Sequence, residues 1–201
     1  MPLTLDNVTW PLRTERLTIR RATPQDADAV WRYRRDPSVA EWMYRLEQDQ
    51  RSHHERFQLA DQLPQTLVAL HGDTIIGDLL VRQHDAWAQD EVAAKAAGAT
   101  AEIGWVFDPA VQGRGLATEA AGALLRLCLE SLGLHRVTAI CFSDNTASWR
   151  VMEKVGMRRE THAVAESLHR SGRWLDSYTY ALLRSEWEEQ GSDSSPLHPP
   201  Q

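Results

Sequence analysis

The stretch from Ala101 to Ala121, AEIGWVFDPAVQGRGLATEAA, constrains the fold of this chain more than any other. It opens with an apolar run of strand-forming residues that ends at Asp108. A short loop with Gly113 and Gly115 follows, and helix formers spaced by three and four residues begin directly after it. Glycines let a backbone approach phosphate groups, and the first free N–H groups of a helix attract anions. This order therefore predicts a site for a phosphate-bearing ligand.

Two familiar phosphate-binding loops do not fit this stretch. A triphosphate-binding P-loop needs a lysine directly after its last glycine, and neither glycine here is followed by one. The dinucleotide fingerprint G-x-G-x-x-G would place its third glycine at Thr118. It also needs a second strand ending in an acidic residue about twenty positions on, where the helical pattern still continues around Glu130. A dinucleotide-dependent oxidoreductase is therefore disfavoured.

Composition and charge are those of an ordinary globular protein. The chain has 201 residues, 42% hydrophobic and 25% charged, which is enough for one domain with a full core. No run of about eighteen apolar residues predicts a membrane span, and no signal peptide is visible at the N-terminus. Both cysteines fall in core patterns, so we expect a cytoplasmic protein. The net charge of −6 disfavours nucleic acid and suits a cationic substrate, or serves solubility alone.

Hydrophobic periodicity along the rest of the chain predicts strands and helices without an alternating βαβ order. The predicted strands lie over 12–21, 65–70, 74–81, 101–107, 136–142, 157–168 and 174–184. The predicted helices lie over 23–36, 38–44, 48–62, 116–130 and 145–154. The short helix 38–44 is expected to carry Trp42 and Met43 to the surface of a pocket.

Two motifs in this framework resemble those of a known family. Gln112, Gly115 and Ala117 form Gln-x-x-Gly-x-Ala, set between E-I-G-W-V-F-D-P and L-A-T-E-A. The pattern N-x-x-S-x-x-V-x-E-K-x-G-M begins at Asn145. Together they resemble the acetyl-CoA loop and the following helix of the GNAT superfamily of N-acyltransferases, over roughly residues 12–187.

Two further short segments resemble one branch of that superfamily, the RimJ/RimL group. They are Gly-Leu-His-Arg-Val over 133–137 and Leu-Leu-Arg-Ser-Glu-Trp over 182–187. That group includes N-terminal acetyltransferases of ribosomal proteins and relatives that act on small amines. The resemblance implies an α+β fold with a mostly antiparallel central sheet flanked by helices, here a single domain over 1–190.

Acetyl-CoA is the co-substrate that the resemblance implies. Its pantetheine arm is expected on the open strand edge at Trp105, Val106 and Phe107, with the Val106 N–H as the oxyanion-hole donor. Asn145 and Ser148 are expected beside the same arm. Backbone N–H groups are expected to bind the pyrophosphate along Gln112, Gly113, Arg114, Gly115, Leu116, Ala117 and Thr118.

A base is useful because only a neutral amine attacks a thioester. The pKa of an α-amine lies near 8 and that of a lysine amine near 10.4. Glu102, at the start of the central strand, is the expected base, directly or through a water; the alternative is that it faces solvent or pairs with an arginine. Asp108 and Glu41 are the other carboxylates considered, and Asp108, which precedes a proline, is typical of a turn.

The proton donor to the leaving thiolate departs from the family pattern. Many GNAT enzymes carry a tyrosine where this chain has Met152, which cannot donate a proton. Ser148 is the expected substitute acid or else packs within its helix, and Asn145 is expected to contact the pantetheine or the acceptor amine. Neither Cys128 nor Cys141 has a visible histidine partner, so direct transfer without a covalent enzyme intermediate is expected.

The function that follows is acetyl transfer from acetyl-CoA to a primary amine, either a protein N-terminus or a small molecule. The missing tyrosine keeps open a catalytically silent acyl-CoA-binding module. No metal site is expected, since His53 and His54 have no further ligands nearby in the pattern. A homodimer is one possible assembly, and the sequence does not determine the oligomeric state.

Two segments fall outside the family pattern. Residues 83–100 are rich in alanine without strand alternation, and we interpret them as an inserted helix or loop near the acceptor site, either a lid or an inert surface insertion. Residues 191–201, GSDSSPLHPPQ, predict a disordered tail.

Overall fold

A computed structural model describes residues 2–192 of the chain, with eight strands in one sheet of order β1-β2-β3-β4-β5-β6-β8-β7. The strands are β1 (Leu12–Arg13), β2 (Thr18–Arg21), β3 (Thr66–His71), β4 (Thr74–His84), β5 (Thr100–Phe107), β6 (Arg136–Phe142), β7 (Arg158–Leu168) and β8 (Trp174–Leu183). The helices are α1 (Ala27–Arg34), α2 (Pro37–Ala40), α3 (Gln50–Phe57), α4 (Ala93–Ala96), α5 (Leu116–Arg126), α6 (Thr146–Lys154) and α7 (Arg184–Ser192). Of the predicted tail, 193–201 lie outside the described residues.

The sheet is antiparallel except at one place. Strands β5 and β6 pair in parallel, and only over Thr100–Glu102 against Arg136–Thr138. This mostly antiparallel sheet flanked by helices confirms the predicted α+β fold. The predicted single strand over 12–21 is two short strands instead, because a turn closed by the bond from Thr14 N to Leu17 O (2.9 Å) interrupts it.

Helices cover both faces of the sheet. On one face α5 buries Leu116, Ala120 and Leu124, spaced by four residues, against the inward residues of β5 and β6. On the other face α1 and α3 bury a second cluster around Val30 and Phe57. Residues 101, 103, 105 and 107 of β5 therefore face α5, and residues between them face α1 or solvent.

Helix α5 begins at a glycine with a left-handed backbone. Gly115, the N-cap residue, has φ +75°, and Gly113 in the preceding loop has the same φ. A side chain at either position is disfavoured by its own backbone conformation rather than by crowding, since an added Cβ on Gly115 meets its nearest neighbour, Arg16, at 3.6 Å. The chain therefore uses glycine here for its backbone conformation.

His53 is a buried histidine between α1 and α3. Its side chain is 2% exposed and packs between Trp31 and Phe57, with ring centroids 5.3 Å and 5.6 Å away. Its Nε2 has no hydrogen-bond partner among the described residues. Burial lowers the pKa of His53 to about 4, and the charge of Arg34 acts in the same direction against the opposing charge of Asp78.

This arrangement predicts a loss of stability in mild acid. Between pH 6.5 and about 4 the unfolded chain binds a proton at His53 that the folded chain does not, so the free energy of unfolding falls as the pH is lowered. The loss reaches up to about 3 kcal/mol at about 1.4 kcal/mol per pKa unit. Urea unfolding at a series of pH values measures it, with His53→Phe as the non-titrating comparison. An equal pH slope in both proteins would contradict the prediction.

Two glycine-to-alanine substitutions should have opposite effects. Gly115→Ala should lower the free energy of unfolding by about 1 kcal/mol, because alanine resists a positive φ. Gly122→Ala, inside α5 where an added Cβ meets nothing within 4 Å, should raise it by about 0.5–1 kcal/mol through helix propensity. Urea unfolding of both variants measures the pair, and equal signs would argue against this account of Gly115.

Candidate functional site

The separation of β5 from β6 opens a cleft in the middle of the sheet. After Glu102 and Thr138 the two strands no longer pair, and a cavity of about 500 Å³ occupies the space between them. Its walls come from Gly104 and Trp105 of β5, from Ile140 of β6, from α6, and from two segments that reach over it. The cleft is therefore bordered by two strand edges whose backbone groups lack a neighbouring strand.

The register of β4 and β5 decides which amides of β5 face this cleft. The Asp108 N–H donates to Ile76 O (2.9 Å), which makes these two residues a hydrogen-bonded pair of the antiparallel ladder. Hydrogen-bonded and non-bonded pairs alternate, so Val106, opposite Asp78, also directs its N–H toward β4. The expectation that the Val106 N–H serves as the oxyanion-hole donor is therefore wrong.

Trp105 and Phe107 present their backbone groups to the cleft side instead. Residues of the same parity earlier in this segment confirm the direction: Ala99 O accepts from His135 N at 2.8 Å, and Ala101 O accepts from Thr138 Oγ1 at 3.3 Å. The sequence motif alone could not show which of Trp105, Val106 and Phe107 directs its N–H toward the cleft, because strand register depends on the partner strand.

The glycine loop lies at the end of β5 and is solvent-exposed from Gln112 to Gly115. The first backbone bond of α5 runs from Glu119 N to Gly115 O (3.0 Å), so the amides of Leu116, Ala117 and Thr118 precede the helical ladder. The structure thus brings the predicted loop residues, including Arg114, together at a helix N-terminus. Such an end carries a partial positive charge and attracts anions.

Arg16, which the sequence patterns did not single out, holds this loop in place. Its guanidinium donates to Arg114 O (2.8 Å) and pairs with Glu119 Oε2 (2.6 Å). Burial opposes ionisation of Glu119, but hydrogen bonds from Thr14 and Arg16 hold its pKa below the usual range. The ion pair thereby fixes the loop in front of the helix N-terminus, whose partial positive charge attracts an anion.

Helix α6 brings two predicted residues to the cleft. Asn145 is its N-cap, and the Asn145 Oδ1 accepts from Ser148 N at 3.2 Å. Both residues line the cavity together with the buried Met152, which occupies the position of the missing tyrosine. Cys141 of β6 lines it as well; burial raises the pKa of this thiol to about 11 against a smaller opposing effect of its hydrogen bond with Ser148.

The three candidate bases lie in different surroundings. Glu102 is absent from the cavity lining, and its Oε2 lies 3.7 Å from Arg82, which matches the predicted alternative of a pair with an arginine. Asp108 caps the turn that follows it and pairs with Arg32 at 3.0 Å, as expected of a turn residue. Glu41 lines the cavity.

Two segments reach over the cleft at the mouth away from the glycine loop: the chain around Trp42 and the tip of the β7–β8 hairpin. The sequence patterns predicted only the first of them. Trp42, as predicted, lines the cavity; its ring lies 6.1 Å from Phe142 and 5.6 Å from His169 at the tip of the β7–β8 hairpin. Arg170 at the same tip donates to the carbonyl oxygens of Glu41 and Met43. One wall is thus formed by residues that lie between 127 and 129 positions apart in the sequence, a relation that no local motif encodes.

Residues 83–100 form a segment at one end of β5. They include the paired ends of β4 and β5, where His84 is opposite Thr100, and Asp85 and Gln83 hydrogen-bond Gly98. This is the end of β5 farthest from the glycine loop, and Trp87 in this segment is 92% exposed. The segment contributes no residue to the cavity lining, so the cavity gives no support to the expectation that it borders the acceptor site.

Within residues 2–192, no three histidine, cysteine, aspartate or glutamate side chains converge as a metal site would require. The same range contains no helix with the length and apolarity of a membrane span. His54, considered for a metal, instead contacts Asp28 through Nε2 at 2.8 Å.

Comparisons with known proteins agree with this geometry. The model of the acetyltransferase (GNAT) domain family matches residues 16–158. A curated relative, the uncharacterized N-acetyltransferase YnaD of Bacillus subtilis, is 32% identical over 181 residues, which cover 88% of this chain and 98% of YnaD.

Solved structures give the same result. A GNAT-family acetyltransferase from Bacillus anthracis superposes with a TM-score of 0.74 at 30% identity, over 88% of this chain and 100% of the other. The ribosomal-protein-S5-alanine acetyltransferase from Vibrio fischeri shares the fold, with a TM-score of 0.70 at 18% identity over 89% and 99% of the two chains. The family match, the fold and the cleft lead to one conclusion: the chain belongs to the GNAT family of N-acetyltransferases.

Proposed function

We propose that this N-acetyltransferase uses acetyl-CoA and transfers the acetyl group directly to a primary amine. The observation that carries the proposal is the separation of β5 and β6 directly beside a glycine loop that opens α5. One ligand with an extended amide-containing arm and a pyrophosphate fits both features. We further propose that the enzyme acts as a single domain over residues 1–190 in the cytoplasm.

The residues that hold the co-substrate follow from the open backbone groups. The pyrophosphate binds the amides from Gly113 to Thr118 at the positive end of α5, in a loop that Arg16 anchors through its bond to Arg114 O. The pantetheine amides bond the edge of β5 at Trp105 and Phe107, as an added strand would. Asn145 and Ser148 contact the arm from the α6 side of the cleft.

The chemistry assigned to this cleft needs three groups. An amide N–H of β5, from Trp105 or Phe107, stabilises the negative charge that develops on the thioester oxygen. A carboxylate removes a proton from the acceptor amine, either Glu102 through a water or Glu41, which lines the cavity. The Ser148 hydroxyl donates a proton or a hydrogen bond to the leaving thiolate, since Met152 cannot.

The acceptor class is a protein N-terminus or a small amine. The relation in fold to the Vibrio fischeri enzyme and the RimJ/RimL-like segments support a ribosomal-type N-terminal acceptor. The cleft, with aromatic walls at Trp42 and Phe142, equally accommodates a small amine.

Release of CoA thiol from acetyl-CoA tests the proposed function. We expect turnover with one of two acceptor pools, short peptides with free N-termini or small amines including polyamines and aminoglycosides. Peptide-only turnover supports the ribosomal-type role, and small-amine turnover a role in metabolism or detoxification. Binding of acetyl-CoA by calorimetry without turnover in either pool would favour the silent acyl-CoA-binding module, which the buried Met152 keeps as the second candidate.

Charge-removing variants identify the base. Replacing the true base by glutamine, in Glu41→Gln or Glu102→Gln, should lower kcat/KM at pH 7 about 100-fold. The loss should shrink as the pH approaches the pKa of the amine, near 10.4 for a lysine-like acceptor, because the neutral amine then no longer needs a base. Rate profiles from pH 6 to 10 measure this, and Asp61→Gln serves as an exposed control. Unchanged profiles for both variants would exclude both residues.

A further inference from the structure

A bulge in β7 places a carboxylate beside the cleft. Ala163 is opposite Ser177 and Ser167 is opposite Leu175, so three residues of β7 face the single Asp176 of β8. Ala165 lies within the bulge and has φ +47°; among the described residues other than glycine, it alone has a positive φ. A left-handed alanine costs about 1–2 kcal/mol, and bulges next to binding sites commonly redirect a side chain.

Asp176 stabilises the bulge on its outer side. Its Oδ1 accepts from Ala165 N at 2.9 Å, and its Oδ2 lies 2.5 Å from His162 Nε2. These contacts lower the pKa of Asp176, the backbone bond from Ala165 contributing most. The distorted backbone is therefore held by a dedicated carboxylate.

The bulge brings the exposed Glu166 within hydrogen-bond reach of the cleft wall, although Glu166 is not itself a lining residue. Ser177, which lines the cavity and is 4% exposed, donates its hydroxyl to Glu166 Oε2. No lysine, arginine or histidine within residues 2–192 forms an ion pair with Glu166. The guanidinium of Arg170, a cation that lines the cavity, donates instead to the carbonyl oxygens of Glu41 and Met43. A carboxylate with an oriented hydrogen bond thus lacks a cation.

Its distance from the chemistry is set by the sheet. Ser177 is opposite Phe142 in the β6–β8 ladder, and the gap that receives the thioester lies on the other side of β6. Two strand spacings separate β7 from β6, and half of the open gap adds to them, so the backbone of Glu166 lies at least about 10 Å from the middle of that gap. This distance is too long for the base and suits a second charge on the same acceptor.

We infer that Glu166 is a specificity-determining residue that binds a positively charged group of the acceptor, separate from the reacting amine. The favoured acceptors are then amines with a second cation roughly 10 Å away, such as a diamine or a peptide N-terminus followed by a basic side chain. The inference rests on the proposed function, and Ser177 is the positioning residue that orients the carboxylate.

Matched acceptors isolate the second charge. The first pair is 1,6-diaminohexane and hexylamine; the second is a tripeptide with lysine in second position and its leucine counterpart. The wild type should prefer the charged member of the pair that it acetylates, in kcat/KM measured by CoA release. Glu166→Gln should reduce that preference about tenfold, and Ser177→Ala should reduce it by a smaller factor.

Glu188→Gln is the control, since Glu188 lies on α7 in an exposed pair with Arg184, and its preference should equal that of the wild type. A wild type without preference, or a Glu166→Gln variant that keeps it while melting like the wild type, overturns the inference and leaves the proposed function intact. Absence of turnover with all four amines and of acetyl-CoA binding overturns the proposed function itself.

Discussion

The short parallel pairing between β5 and β6 is the constraint on which the rest of this structure depends. Backbone N–H and C=O groups need partners, and strands that part in mid-sheet leave a row of them unpaired on each edge. Here the pairing stops at Glu102 and Thr138, while β5 stays bonded to β4 and β6 stays bonded to β8 along their lengths. The sheet thus remains stable on both sides of an opening that another extended molecule can occupy.

The two mouths of this opening have different electrostatic character. At one end the N-terminus of α5 carries a partial positive charge, and the ion pair of Arg16 with Glu119 anchors the loop in front of it. At the other end Glu41 and Arg170 line the cavity together with Trp42 and Phe142, and Glu166 accepts a hydrogen bond from Ser177 of the wall. The two carboxylates at this end outnumber the one guanidinium, which favours a cationic acceptor there, while the helix N-terminus favours an anionic co-substrate at the other end.

Local patterns predicted the central unit well. The apolar run, two glycines and amphipathic helix became β5, the loop and α5 at nearly the predicted residues, and Asn145 capped α6 as expected. These features depend on interactions within a few residues: side-chain periodicity, a left-handed glycine and a capping side chain. The helix over 48–62 was shorter than predicted, Gln50–Phe57, because its polar pattern offered few apolar contacts to extend it.

Sequence by itself thus determined the family, the fold class and the loop that suits a pyrophosphate, because short-range chemistry encodes all three. Tertiary structure alone decided which β5 amides face the cleft, because strand register is a property of two strands. It also decided that Glu102 lies with Arg82, that 83–100 lies at the far end of β5, and that a bulge brings Glu166 within hydrogen-bond reach of Ser177 in the wall. Each of these relations joins residues that are distant in the chain. Periodicity and spacing describe only local sequence, so they do not indicate which distant residue becomes the packing partner.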